Sequence, residues 1–255
     1  MRATTMCLVA AAALCVYGAR PAHAQQRATA AAPWQTLEEM PEARWEMASA
    51  MVGGTLYLFG GYGAGVQSSR HVDAFEVEDN AWRRLAELPS AITHMNAVAD
   101  GRSVWLAGGF KDGYPGHAID EVWRYDIDDD RFVATPPLPE PRAGGGLALV
   151  GRSLHYIGGL MSDRDTDSSD HWVLDLEGSG NWTNAAPMPV PRNQFGTISR
   201  DGRIYLTGGQ LGHDSRNGQP GLDQTRSTSM TRRPTRGAPD PICRGRIRMP
   251  KAAPC

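Results

Sequence analysis

Three arginines and a histidine stand at the starts of successive short apolar strand patterns, and they carry most of the chemistry that the sequence offers. Arg44, His94, Arg142 and Arg192 are the candidates, with Asn96 and Asn193 close by. A guanidinium presents a planar fork of donors that suits a carboxylate, so a ring of such groups points to a carboxylate-bearing ligand. The same groups can instead bond carbonyls of neighbouring strands and hold the fold together. Other chemistry is thinly supported. His71, His94, His117, His155, His171 and His213 are scattered without the paired spacing of metal ligands, so no metal is expected. Asp163, Asp165, Asp167 and Asp170 alternate as in a calcium loop, but Ser168 stands where that loop needs Gly and Leu174 where it needs Glu. A solvated acidic loop is the simpler reading. Asn181-Trp182-Thr183 fits the glycosylation sequon, yet Trp182 has another role, described below. No paired acid and base or activated nucleophile stands out, and no cofactor is expected.

The elements that must position these residues sit between two unlike ends. The chain has 255 residues, 41% hydrophobic and 21% charged, with 29 Gly, 18 Pro and a formal charge of −2. That is a globular composition. Arg2, the apolar stretch Met6 to Tyr17 and Ala22-His23-Ala24 predict a secretory signal cleaved after Ala24, hence a secreted or periplasmic protein. No apolar run approaches the roughly 20 residues that span a bilayer. Residues 25–32 read as a flexible linker. Cys7 and Cys15 lie in the signal and Cys243 and Cys255 near the end, so the exported body has no disulfide to rely on. Charge is segregated too: residues 25–213 carry 15 Lys+Arg against 25 Asp+Glu, and residues 214–255 carry 9 against 3. The last segment has no aromatic residue and predicts a disordered basic tail. A tail that recruits nucleic acid is disfavoured, and no nucleic-acid partner is expected.

Between these ends the chain repeats. Gly60-Gly61, Gly108-Gly109, Gly158-Gly159 and Gly208-Gly209 are spaced 48, 50 and 50, each ending a strand pattern such as Leu56-Tyr57-Leu58-Phe59. Trp34, Trp82, Phe132 and Trp182 recur at the same spacings. Pro-containing turns follow, closing on Arg44, Ile92, Arg142 and Arg192. Each period holds about four short strands, as a four-stranded sheet that buries its faces by stacking on neighbours around an axis. These residues resemble the Kelch-repeat family of β-propellers over about residues 33–213. The resemblance implies an all-β, Kelch-type propeller of four-stranded blades, with Ile92 and Phe132 as departures from the pattern. Counting gives about three and a half blades. The segment beginning Pro33-Trp34-Gln35 matches a last strand and should close a blade begun by the C-terminal part of the chain.

The composition break at 214 has two readings. In a shifted frame, Met230-Thr231 must encode Asp, with Val, Tyr and Pro permitted around it and Trp permitted six positions later. Glu76 to Trp82 and Asp126 to Phe132 have that spacing. The alternative is a genuine tail, in which case self-association would be one way to close the ring. Function then divides into classes. One is an exported, non-catalytic module that binds a protein, glycan or carboxylate-bearing ligand through its loop faces. Another is an enzyme resembling the periplasmic sialic acid mutarotase, a Kelch propeller, with arginines holding the sugar carboxylate. A third is an inactive product of a damaged gene. Copper oxidases of the galactose oxidase type are related propellers, but their Cys-linked Tyr has no counterpart in a body without Cys.

Overall fold

Strand patterns of about five residues joined by turns and short loops pair readily with strands near them in the chain, and the strands of each blade do so. The computed structural model describes residues 34–178 and 180–212 together with the backbone strands Gly221–Leu222 and Ser227–Thr231. The signal sequence, the linker and most of the tail lie outside the described residues. Blade one is built from Ala48–Val52, Thr55–Phe59, Val72–Glu76 and Ala81–Arg84. Blade two is built from Asn96–Asp100, Ser103–Ala107, Val122–Asp126 and Arg131–Ala134. Blade three uses Gly146–Val150, Ser153–Ile157, His171–Asp175 and Trp182–Asn184. Blade four has three described strands, Gly196–Arg200, Arg203–Thr207 and Ser227–Thr231. All are antiparallel and in one register: Ala48↔Phe59, Asn96↔Ala107, Gly146↔Ile157 and Gly196↔Thr207 are equivalent pairs. The β-propeller architecture expected from the period is therefore present.

Alternation along each strand sends one set of side chains toward the preceding blade and the other toward the next. Tyr57, Phe59, Val72 and Ala74 of blade one pack on Val104, Leu106, Trp123 and Tyr125 of blade two. Trp105, Ala107 and Val122 repeat this against Leu147, Leu154, Tyr156 and Trp172, as do Ala148, Val150 and Ile157 against Phe195, Ile204 and Leu206. The core is thus a series of layers between blades.

The glycine pairs tie those layers at one end. Gly61, Gly109 and Gly159 donate their N–H groups to the carbonyls of Ile92, Arg142 and Arg192, each in the following blade, at 2.9, 2.8 and 3.1 Å. At Gly108 the reason for glycine is plain: φ is +63°, and a Cβ would lie 2.4 Å from the Arg142 oxygen. The recurring aromatics sit opposite the third strand, with Phe75 and Trp82 4.8 Å apart and Tyr125 and Phe132 likewise 4.8 Å apart. Trp182 donates its indole N–H to the Pro136 carbonyl and Trp82 to that of Glu38, both at 3.0 Å. Phe132 has no such donor. There the Asp130 carboxylate accepts the Ala86 N–H at 3.0 Å and the Tyr125 hydroxyl at 2.5 Å.

Two expectations change at the ends. Trp34 starts no strand: residues 34–40 are irregular, and Trp34 is fully exposed. A strand needs an edge to pair with, and the following residues are held by blade one instead, where the Glu38 N–H donates to Asn80 Oδ1 at 2.9 Å. At the other end, Ser227–Thr231 lies within the segment that reads as tail, yet it pairs with Arg203–Thr207 from Thr207↔Ser227 to Arg203↔Thr231. Ladder hydrogen bonds belong to the main chain, and Ser and Thr tolerate extended backbone, so a polar composition does not forbid a strand.

Candidate functional site

Arg44, Arg142 and Arg192 are buried inside the blades. Arg44 Nη1 donates to the carbonyls of Gly60 and His71, both at 2.7 Å, and Nη2 bonds Asp73. Both side chains of the Arg44–Asp73 pair are fully shielded from solvent. Burial lowers the pKa of Arg44, with Asp73 opposing the shift. Arg142 Nη2 donates to Glu140 at 2.8 Å and to Asp170 at 2.5 Å, and the guanidinium lies 5.0 Å from the Trp172 ring. Burial opposes the Asp170 charge, but bonds from Ser168 and Arg142 outweigh it and hold its pKa below the ordinary carboxylate value. Arg192 sits over Phe195, with Nη1 3.3 Å from the Val190 carbonyl. Asn193 donates to Asp167 at 2.7 Å and to the Gly212 carbonyl at 2.9 Å. Arg44 and Arg142 thus brace their own blades, and none of the three arginines is among the described residues lining the cleft described next.

The residues that do converge lie two positions further on. Glu46, His94, Gly144 and Gln194 have the same 48, 50 and 50 spacing, and all four are left-handed, with φ of 56°, 53°, 59° and 48°. That conformation lets each N–H reach across to the preceding blade: His94 to Glu46 O at 3.2 Å, Gly144 to His94 O at 2.9 Å and Gln194 to Gly144 O at 2.7 Å. A belt of main-chain bonds therefore runs around the axial end of the blades. The belt lines an open cleft of about 210 Å³, with Met47, Met95 and Phe195 on its walls. His94 and Asn96, named from the sequence, are in it. Glu46, Gly144 and Gln194 were missed, although their shared register with His94 was available as a signal. His94 Nε2 lies 3.2 Å from Glu46 Oε2, and Nδ1 lies 3.0 Å from Thr93 Oγ1. Asn96 is turned to Gly145, donating to its carbonyl at 2.7 Å and accepting its N–H at 3.3 Å.

A row of rings lies under the loops of the same face. Trp45 and Tyr62 are 5.6 Å apart, Tyr62 and His94 5.9 Å, and His94 and Phe110 5.2 Å. Buried Arg164 continues the row, 4.0 Å from Phe110 and 5.1 Å from Tyr114, and donates to the Pro115 carbonyl at 2.8 Å. The row ends in solvent on both sides, with Trp45 46% and Tyr114 57% exposed.

The acidic segment of blade three is a set of cross-links. Asp163 accepts the N–H groups of Asp165 and Thr166 in its own turn, Asp167 binds Asn193 and the Gly212 N–H, and Asp170 binds Arg142. These carboxylates face different partners, and no cluster of three metal-ligating side chains occurs among the described residues. In blade three, His171 Nδ1 donates to the Ala186 carbonyl at 3.0 Å, so its Nε2 is left to accept from His155 Nδ1 at 2.9 Å. Burial lowers the pKa of His171, and the bond to Ala186 opposes this.

A family model of the KLHDC2/KLHL20/DRC7 Kelch-repeats domain matches residues 23–209, well over half of the chain. The chain belongs to the Kelch-repeat family. Kelch-like ECH-associated protein 1A of Danio rerio is 28% identical over 99 residues, 38% of this chain and 16% of the relative. Human Kelch-like protein 25 is 28% identical over 90 residues, 35% of this chain and 15% of the relative. This Kelch chain thus spans about one sixth of the length of these curated relatives. Among solved structures, that of YjhT superposes with a TM-score of 0.63 at 17% identity, covering 70% of this chain and 63% of that one. At that identity the likeness speaks for the fold alone. No helix of the described residues is long and apolar enough to cross a membrane.

Proposed function

We propose that this Kelch protein is an exported, non-catalytic binding module that engages a protein partner through the face bearing its axial cleft. In each blade the loop between the second and third strands shares that face with the link entering the first strand. Trp45 lies in such a link and Tyr114 in such a loop. The observation that carries the reading is the exposure of these two rings at the ends of a packed aromatic row. Aromatic side chains on a rigid support lose little entropy on binding and dominate protein interfaces. Family membership supports the same class. A sugar-active enzyme would need its arginines as carboxylate clamps, and the partners of Arg44 and Arg142 inside the blades do not favour that role. The signal-like N-terminus supports export to the periplasm or medium.

The test is affinity capture from envelope and culture fractions with the intact protein and with W45A/Y114A. Capture of a saturable protein partner by the intact chain and its loss in the double variant is expected. V77S removes an exposed side chain from the turn between the third and fourth strands, on the opposite face, and should not alter capture. Equal capture by W45A/Y114A and the intact protein would overturn the reading.

A further inference from the structure

One exposed residue of the loop face occupies a backbone conformation that its own side chain opposes. Among the described residues nine other than glycine have a left-handed φ, and eight of them are Asn, Asp, Glu, Gln, His or Arg. The ninth is Val66, at φ +59°. Asn and Asp tolerate that region, whereas a β-branched side chain crowds the backbone there. The conformation is imposed from both sides. Val66 ends the short 3-10 turn Ala64–Val66, directly after Gly65 at φ +69°. The Gly63 N–H closes the loop on Gln67 O at 2.9 Å, Tyr62 pairs with Ser68, and the Ser69 N–H donates to Gly61 O at 2.8 Å. Strain of this kind persists where the surroundings over-determine it, and it gathers at binding sites.

Packing does not account for the valine. Val66 is 42% exposed and belongs to none of the core clusters among the described residues. Its loop lies between the two exposed rings. Trp45 and Tyr62 exchange main-chain bonds at 3.0 and 2.8 Å, Tyr62 pairs with Ser68, and Ser68 Oγ accepts the N–H of Gly113, the neighbour of Tyr114, at 3.0 Å. A Cβ at Gly113 would stand 3.8 Å from the Val66 carbonyl oxygen, so the tip of the blade-two hairpin rests on this loop. Val66 therefore adds a third exposed apolar group to the surface of Trp45 and Tyr114. Its χ1 is stiff, so a fixed backbone presents it already ordered.

Resting on the loop-face reading, we propose that Val66 is a contact residue of that face, packing against an apolar side chain of the partner protein between Trp45 and Tyr114. The residues that would relieve the backbone, Asn or Asp, would set a polar group against that apolar surface.

Two substitutions in the full chain separate strain from contact. The probe is the protein that the intact chain retains from envelope and culture fractions, eluted and rebound in titration. Val66→Asn, which suits a left-handed backbone, is expected to raise the urea midpoint of unfolding and to weaken rebinding. Val66→Thr keeps the shape and the β-branch, so the midpoint should stay in place. Its rebinding should still weaken by about tenfold, because a hydroxyl is then buried against apolar surface without a partner. A merely structural role would not combine higher stability with weaker binding. A lowered midpoint in Val66→Asn, or unchanged rebinding in either variant, would overturn the assignment. Loss of the partner in W45A/Y114A with full rebinding by both Val66 variants would sink the role of Val66 alone. Capture that ignores the two rings, or no saturable partner at all, would sink the loop-face reading and Val66 with it.

Discussion

At the scale of single residues, the most constrained charge is the Arg44–Asp73 pair. Asp73 also accepts from Arg84 Nε at 2.7 Å, so one buried carboxylate joins a turn to the fourth strand of its blade. Removing one member of a buried pair leaves the other uncompensated, which costs about 3–5 kcal/mol. Asp73→Ala is therefore expected to lower the unfolding free energy by about that amount in a urea titration. Arg102→Ala, which breaks an exposed pair with Asp128, should leave it unchanged within error. A small loss in Asp73→Ala would mean that Arg44 finds solvent or carbonyl partners on its own. The site was only half legible at this scale. Arginine type and spacing are visible in the sequence, but whether a guanidinium faces ligand or blade depends on partners such as Gly60 O and Asp170, distant in sequence. His94 was identified for its place near the axis, whereas Glu46 and Gln194 carry no type signal. Their shared register with His94 groups them in the sequence, and their common left-handed backbone, a tertiary property, gives that register its meaning.

At the scale of elements, the repeat was readable because the same physics recurs: a strand ending in a glycine pair four times, and an aromatic opposite the third strand three times. Close contacts leave a mark in residue type when one type alone fits, and Gly108 is such a place. Gly101 offers a comparison, since it is also left-handed, at φ +57°, but a Cβ there would meet nothing within 4 Å. Gly101→Ala should cost the ~1–2 kcal/mol of a left-handed residue with a side chain. Gly108→Ala should cost clearly more, because the new Cβ also displaces Arg142 O and strains the Gly109–Arg142 bond between blades. Equal losses by denaturant titration would show that backbone conformation alone selects these glycines. The ends were less readable for a related reason. Trp34 matches the aromatic repeat in type, but a strand also requires a free edge, and the chain after it is held by Asn80 and Trp82 of blade one. Ser227–Thr231 fails every pattern of type and still pairs, because backbone ladders need no particular side chain.

At the scale of the molecule, stability follows the stacking of blades rather than their count. Blade two is packed on both sides, and its second strand Ser103–Ala107 is buried at every position. The corresponding strand of blade four, Arg203–Thr207, alternates buried and exposed residues; Ile204 and Leu206 face blade three, while Tyr205 is 36% exposed and its cross-strand neighbour Ile198 62%. In a repeat architecture each unit is stabilised by its own interactions and by the interface on either side, so a blade packed on one face opens at lower free energy than one packed on two. Native-state amide exchange should therefore be faster at Ile204–Leu206 than at Val104–Leu106, by about tenfold for each 1.4 kcal/mol between the two openings. Blade three, packed against both neighbours, should follow blade two. The axial belt makes the comparison sharper, because Gln194 N–H bonds Gly144 O across the junction of blades three and four at 2.7 Å. If that belt and the Phe195 layer lock the junction, exchange will be equally slow in both strands, and the blades will open as one cooperative unit rather than in order.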